Sequence, residues 1–334
     1  MKLLMICGSF PPVACGIGDY TEKLINAMNN FDIEIELMAN IDFSLSQTFK
    51  IIKRIKQINP NIIHIQYPAQ GFGYGILPQI LSLRFKTIVT IHEVSQFHPI
   101  RKLWLIPFTL RSNLIFTTKY ELDYLKKIFP WFKNKSFIIP IGSNIVPTDL
   151  PVIKNRNTSE IISFGLIRPK KGIEKVLELA KLLKEHNSNY SIKIIGKVFK
   201  DNTSYYEKLR KSSLDLPIKW LINLSEKDVE LEISKHLFAY LPFPDGASER
   251  RTSLLAMFSS NLLVFTTKGK FTPQEMMDLV LIVNDPCNLN DFLIDTTLIE
   301  LTNILEYKGA KIKSYLNQFE WKSIASKHYD IYNQ

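Results

Sequence analysis

The stretch EIISFGLIRPKKGIEKVLELAKLL, residues 160–183, sets a strand, a loop and a helix in a row. Its opening, EIISFG (160–165), is a short apolar run bounded by glycine, which reads as a strand buried on both faces. Over 172–186, Ile173, Val176, Leu177, Ala180 and Leu183 recur at helical spacing and form one apolar stripe. Arg168, Lys171 and Gly172 occupy the loop between. A strand followed by an amphipathic helix is the repeating unit of a parallel sheet wrapped by helices.

The same unit recurs outward from this stretch. Downstream, strands are predicted at YSIKIIG (190–196), PIKWLIN (217–223), HLFAYL (236–241), LLVFTT (262–267) and LVLIV (279–283). Upstream they fall at KLLMIC (2–7), IEIELMA (33–39), NIIHIQ (61–66), KTIVTI (86–91), NLIFTT (113–118) and SFIIP (136–140). A helical stretch at 19–30 places Tyr20, Leu24, Ala27 and Met28 on one face. Between the two sets, SNIVPTDLPVIKNRNTSE (143–160) is rich in Pro, Asn, Ser and Thr and reads as a linker. The expectation is an α/β protein of two doubly wound Rossmann-like domains, 1–150 and 151–315. Ligands of such sheets sit beyond the carboxyl ends of the strands, so the natural site is a cleft between the domains.

Composition agrees with two buried cores: 334 residues, 46% hydrophobic. The three cysteines, Cys7, Cys15 and Cys287, have neither disulfide nor zinc spacing, which suits a reducing cytoplasm. The opening MKLLMICGSFPP has too short an apolar run for a signal peptide before Gly8, Pro11 and Pro12 end it. LWLIPFTL (103–110) is too short to span a membrane and contains Pro107. The net charge of +10 comes without a helix-turn-helix, zinc or RNA-binding signature, so no nucleic-acid partner is expected. RKLWLIPFTLR (101–111) and KKIFPWFKNK (126–135) instead surround Trp104, Phe129, Trp131 and Phe132 with Lys and Arg. That mixture suits an anionic membrane surface; the alternative is aromatic core with a charged rim.

Four loops carry the candidate chemistry. GSFPPVACGIGDYTEKL (8–24) leads from the first strand to the first helix, and Gly16 and Gly18 let a ligand approach the backbone. His92 follows KTIVTI at a strand end, placed to contact a sugar hydroxyl or handle a proton. Arg168 and Lys171 stand before a helix start, where two cations could neutralise a diphosphate without a metal. In PDGASERRTSLLAM (244–257), Glu249 is followed by Arg250 and Arg251, then an apolar helix whose first turn is expected at Arg250–Ser253. Cations are disfavoured at a helix N-terminus unless an anion compensates.

Taken in order, these segments resemble the family-4 glycosyltransferases of the two-domain GT-B fold. The likeness rests on SFPPVACGIGDYTEKL, NIIHIQYP, the Ile91-His92 pair, IIPIGSNI (138–145), FGLIRPKKGIEKVLELAKLL, IIG (194–196) and PFPDGASERRTSLLAMFSSNLLVFTT. It implies a metal-independent, retaining transferase, a hexosyltransferase, with an acceptor-side first domain and a second domain for a UDP- or GDP-linked sugar. It also implies that a C-terminal helix in 316–334 (QFEWKSIASKHYDIY, 318–332) crosses back to the first domain.

By the same resemblance His92 would contact the donor sugar, Arg168 and Lys171 would stabilise the leaving diphosphate, and Glu249 would hold sugar hydroxyls. Gly16, Gly18, Gly165, Arg250, Arg251, Thr252 and Ser253 would complete the donor site. The acceptor would be a glycan or lipid-linked glycan in surface polysaccharide synthesis, on the inner face of the cell membrane. The rival reading is a non-catalytic GT-B partner of an active transferase. Departures from the family pattern are Leu166 where Arg is frequent, Leu255 and Ala256 near the place of a second glutamate, and Asn261-Leu262-Leu263 for Gly-x-Pro.

Overall fold

The computed structural model describes residues 1–13, 15–142 and 151–334. The chain forms two compact units, residues 1–142 with 318–334, and residues 143–317. Each contains a six-stranded, wholly parallel sheet.

In the first unit the strands are β1 (Lys2–Cys7), β2 (Glu34–Ala39), β3 (Ile62–Tyr67), β4 (Thr87–Ile91), β5 (Asn113–Phe116) and β6 (Ser136–Ile138). The intervening helices are α1 (Gly16–Ala27), α2 (Thr48–Ile58), α3 (Leu77–Arg84), α4 (Pro99–Leu103), α5 (Ile106–Arg111) and α6 (Lys119–Ile128). The second unit adds β7 (Asn157–Leu166), β8 (Ser191–Lys197), β9 (Ile218–Ile222), β10 (His236–Leu241), β11 (Leu263–Thr266) and β12 (Leu281–Ile282). Its helices are α7 (Ile173–Glu185), α8 (Thr203–Ser212), α9 (Glu226–Ser234), α10 (Thr252–Ser259), α11 (Gln274–Met277), α12 (Pro286–Asp295) and α13 (Leu298–Leu316). The last helix, α14 (Trp321–Tyr332), belongs to the first unit.

All twelve predicted strands are present. Their apolar runs arise because both sheet faces are covered. In β1, Leu4 and Ile6 pack with Ile51, Leu81 and Phe108 on one face. Leu3 and Met5 pack with Leu24, Ile324 and Tyr332 on the other, so α1 and α14 share a face of the sheet. In the second unit every residue of the predicted α7 stripe is buried. The linker is shorter than expected at its C-terminal end. Residues 143–150 lie outside those described, but Ile153–Asn155 form a 3-10 turn and β7 begins at Asn157. That polar strand start is recruited by an ionic cluster: Lys193 Nζ meets Glu160 at 2.9 Å and Glu232 at 2.7 Å, and His236 Nε2 meets Glu160 at 3.0 Å.

The order in the first sheet is β2-β1-β3-β4-β5-β6, and in the second β12-β11-β10-β7-β8-β9. Connections therefore reverse direction between β1 and β3, and between β7 and β10. Loops leaving two such strands diverge to opposite sides and open a crevice between them. Among the described residues, no helix is long and apolar enough to cross a membrane.

Candidate functional site

The crevice of the second unit is a cavity of about 360 Å³ at the carboxyl ends of β7 and β10. Gly172, the N-cap of α7, makes it possible. Its φ of +82° is left-handed, and a Cβ there would overlap the Pro242 carbonyl oxygen. Glycine thus lets the start of α7 lie against the end of β10. Gly165 enters from the end of β7, Lys171 from the β7–α7 loop and Ile173 from the first turn of α7, while Arg250 and Arg251 precede α10 and Thr252 and Ser253 begin it. Neither α7 nor α10 has a side-chain cap, so their first backbone N–H groups have no partner within the helix.

Positive charge is crowded into this crevice. The Lys171 ammonium is held down to about 8, first by burial and then by Arg251 and Arg168, with Asp245 opposing. The Arg251 guanidinium is lowered too, chiefly by burial. It pairs with Asp245 and lies 4.8 Å from the Phe243 ring centroid. Arg250 lies 5.1 Å from the centroid of Phe271. The helix begins at Thr252, so both arginines precede its first turn and Arg251 is its N-cap. Part of the anion demanded by that arginine pair is therefore internal, supplied by Asp245.

The remaining predicted residues are placed differently. Arg168 does not line the cavity but acts on Lys171 and Arg251 through its charge. Glu249 does not line it either; burial and the neighbouring Glu275 raise its carboxyl above the usual range.

Gly16, Gly18 and His92 lie in the first unit. Gly18 is a packing glycine, since a Cβ there would stand 2.7 Å from the Ser9 carbonyl oxygen, whereas Gly16 faces open space. His92 is buried, with Nε2 2.9 Å from Gln66 Oε1 and its ring edge-on to Tyr20 at 4.9 Å. Because the Gln66 carbonyl oxygen accepts, His92 carries its proton on Nε2 and keeps Nδ1 as an acceptor. Gln66 Nε2 lies 3.3 Å from His64 Nε2, and His64 Nδ1 lies 2.6 Å from the Tyr332 hydroxyl of α14. Burial and the nearby His328 push His92 down to about 3, so it is neutral.

Sequence reasoning missed the far end of the crevice, where Gly196, Lys197, Leu224, Glu226 and Val229 line the wall. Glu226 opens α9 after the Ser225 cap, whose Oγ accepts from Asp228 N at 3.2 Å. The Ser-x-x-Asp spacing marks that helix start, but nothing local tells which strand end lies beside it. No group of three or more His, Cys, Asp or Glu among the described residues could hold a metal ion.

No protein-family model and no curated protein sequence matches the chain. Solved structures do. A sucrose-phosphate synthase from Thermosynechococcus elongatus is 13% identical, with a TM-score of 0.71 over 100% of this chain and 98% of that one. A glycosyltransferase from Rickettsia africae is 14% identical, at 0.69 over 99% and 97%. Anabaena HepE, in complex with UDP and glucose, is 13% identical, at 0.68 over 99% of each chain. At such identities the likeness is one of fold, and the fold of this chain is that of the GT-B glycosyltransferases.

Proposed function

We propose that this chain is a glycosyltransferase that takes a sugar from a UDP- or GDP-linked donor bound in the crevice of the second unit. The observation that carries the reading is the cationic crowd there: Lys171 is depressed by burial, Arg251 and Arg168, and Arg251 by burial, Arg250 and Arg168, beside two uncapped helix N-termini. A diphosphate supplies the charge this arrangement lacks, and accepts from backbone N–H groups that the helices leave open. As the sugar–phosphate bond breaks, negative charge grows on the departing phosphate, where Lys171 and Arg251 stabilise it. Glu226 and Leu224 fit the nucleoside end, a carboxylate for ribose hydroxyls and an apolar wall for the base. The complex of HepE with UDP supports the same class of ligand.

Finer features belong to the same proposal. The sugar is a hexose, transferred with retention and without a metal, and the first unit carries the acceptor, a glycan or lipid-linked glycan of surface polysaccharide. Glu249 and Arg168 assist the donor crevice of the second unit, and His92, Gly16 and Gly18 are the first unit's candidates for a part in the transfer.

Exposed Ile100, Leu103 and Leu110 alternate with Arg101, Lys102 and Arg111 on α4 and α5, and Trp131 is half exposed, whereas Phe129 and Phe132 are core. This face suits peripheral contact with an anionic cytoplasmic membrane surface. Sedimentation with vesicles containing phosphatidylglycerol, but not with phosphatidylcholine alone, is expected. Calorimetry with UDP and GDP, followed by a nucleotide-release assay across hexose donors, tests the transfer itself. Absence of binding by either nucleotide refutes it. Binding without turnover on any donor favours the non-catalytic partner, a reading motivated by Glu249 standing off the cavity wall.

A further inference from the structure

Two polar residues, His64 and Gln66, interrupt the otherwise apolar strand β3, and both are fully buried. They are two positions apart and so lie on the same face of the sheet. His64 is in register with Met5 of β1, whose side chain packs on the face covered by α1 and α14. A buried amide is expensive unless both of its ends find partners, and here the two ends are not interchangeable. Gln66 Nε2 lies 3.5 Å from Met5 Sδ and 3.3 Å from His64 Nε2. A thioether accepts a proton and has none to give, so the nitrogen end of the amide belongs beside it. Turned over, the amide would set its oxygen against the sulfur. Oε1 therefore faces His92, and His92 Nε2, 2.9 Å away, brings the proton.

His64 agrees with this orientation. Its Nε2 accepts from Gln66 and from the Thr90 hydroxyl at 2.7 Å, so its own proton sits on Nδ1. From there it is donated to the Tyr332 hydroxyl at 2.6 Å. Thioether, amide and two imidazoles thus share one consistent arrangement.

The consequence falls on His92 Nδ1. That atom has no partner among the described residues, yet it is not one of the unpartnered atoms sealed in the core. The ring follows β4 directly and keeps 7% of its surface exposed. A free imidazole offers either an N–H or a lone pair at this position. With Gln66 opposite Nε2, only the lone pair remains at Nδ1. Burial and His328, which hold His92 down to about 3, keep the ring neutral as well. A neutral acceptor takes a proton from a hydroxyl and repels a carboxylate or phosphate oxygen, which brings none.

We propose that Gln66 is a positioning residue, which locks His92 with its proton on Nε2 so that Nδ1 accepts from a hydroxyl of a sugar substrate. This rests on the reading of the chain as a sugar transferase. It makes His92 a receiver of hydroxyl protons in hydrogen bonds, and neither a general acid nor an anion binder.

The test reads the histidine tautomers of the full chain at pH 7 from proton–nitrogen correlation spectra, with His92→Asn to assign the ring. In the parent, His92 should carry its proton on Nε2 alone. Gln66→Glu keeps an oxygen toward His92 and should preserve that tautomer, whereas Gln66→Met offers none and should leave a mixture. Near-ultraviolet circular dichroism checks that each variant is folded. In a nucleotide-release assay with hexose donors, Gln66→Met should lower kcat/KM about three- to tenfold, and Gln66→Glu should recover most of the loss. A merely structural Gln66 would alter melting temperatures and leave the His92 tautomer alone. A parent His92 protonated on Nδ1 overturns the proposal, as does a folded Gln66→Met variant that keeps the Nε2 tautomer or the parent kcat/KM. A parent chain that releases no nucleotide from any donor overturns the transferase reading instead. The hydroxyl role then falls with it, while the tautomer result stands by itself.

Discussion

Replacing Lys171 by Met should make the protein more stable and a poorer nucleotide binder at once. The ammonium is brought from 10.5 down to about 8 by burial and by Arg251 and Arg168. The charged form is thus disfavoured in the folded chain relative to the unfolded one. The sign follows: below about pH 8 the charge costs stability, and the cost is relieved as pH rises from about 8 through 10.5. Allowing for solvent screening of this partly exposed amine, the cost is about 1 kcal/mol, so Lys171→Met should raise the melting temperature by a few degrees at pH 7. The same substitution removes a charge-assisted contact to diphosphate, worth about 1.5–3 kcal/mol, or about 10- to 150-fold in UDP affinity. In the parent chain UDP affinity should also fall by up to about tenfold per pH unit above about 8, as Lys171 loses its proton. That slope should vanish in the variant. Calorimetric titration of UDP between pH 6.5 and 9.5, with thermal unfolding on the same samples, reads both effects. A variant that binds UDP as tightly as the parent, or keeps the pH slope, refutes the placement of Lys171 at the diphosphate.

Other consequences are equally direct. Gly172→Ala forces a Cβ onto the Pro242 carbonyl oxygen at a left-handed backbone position and should cost at least about 2 kcal/mol in urea denaturation. Tyr332→Phe strips His64 Nδ1 of its partner in the first-unit core and should cost about 1–3 kcal/mol, measured the same way. His328, held down to about 4 by burial, makes stability fall as pH drops from 6.5 toward 4, by up to about 3 kcal/mol; thermal unfolding across that window should show the loss. Glu226→Ala should weaken UDP binding several-fold while leaving inorganic diphosphate binding unchanged, which calorimetry separates.

Much of the architecture is legible locally. Parallel strands covered on both faces are obliged to be continuously apolar, and the α7 stripe is obliged to repeat every three to four residues. Strand ends shift by a residue or two, and by three at β7. There the polar segment from Asn157 pairs beside β10 next to the Lys193–Glu160–His236 cluster, which no periodicity encodes. The site is legible as loops. Lys171, Arg250 and Arg251 were singled out from their neighbours in sequence, Gly165, Thr252 and Ser253 by the family resemblance, and all six line one cavity.

The sequence by itself therefore determined the two parallel sheets, the strand-to-helix loops and the kinds of side chain those loops carry. Those features depend on short-range periodicity and on the residues beside them. Tertiary structure alone decided that β7 and β10 are neighbours, and hence which loops share a crevice. It alone gave Arg251 an internal anion in Asp245, brought Glu226 to the wall, and surrounded Glu249 with burial and another carboxylate. These are matters of which distant segments share a dielectric and a charge, and separation along the chain carries no record of it.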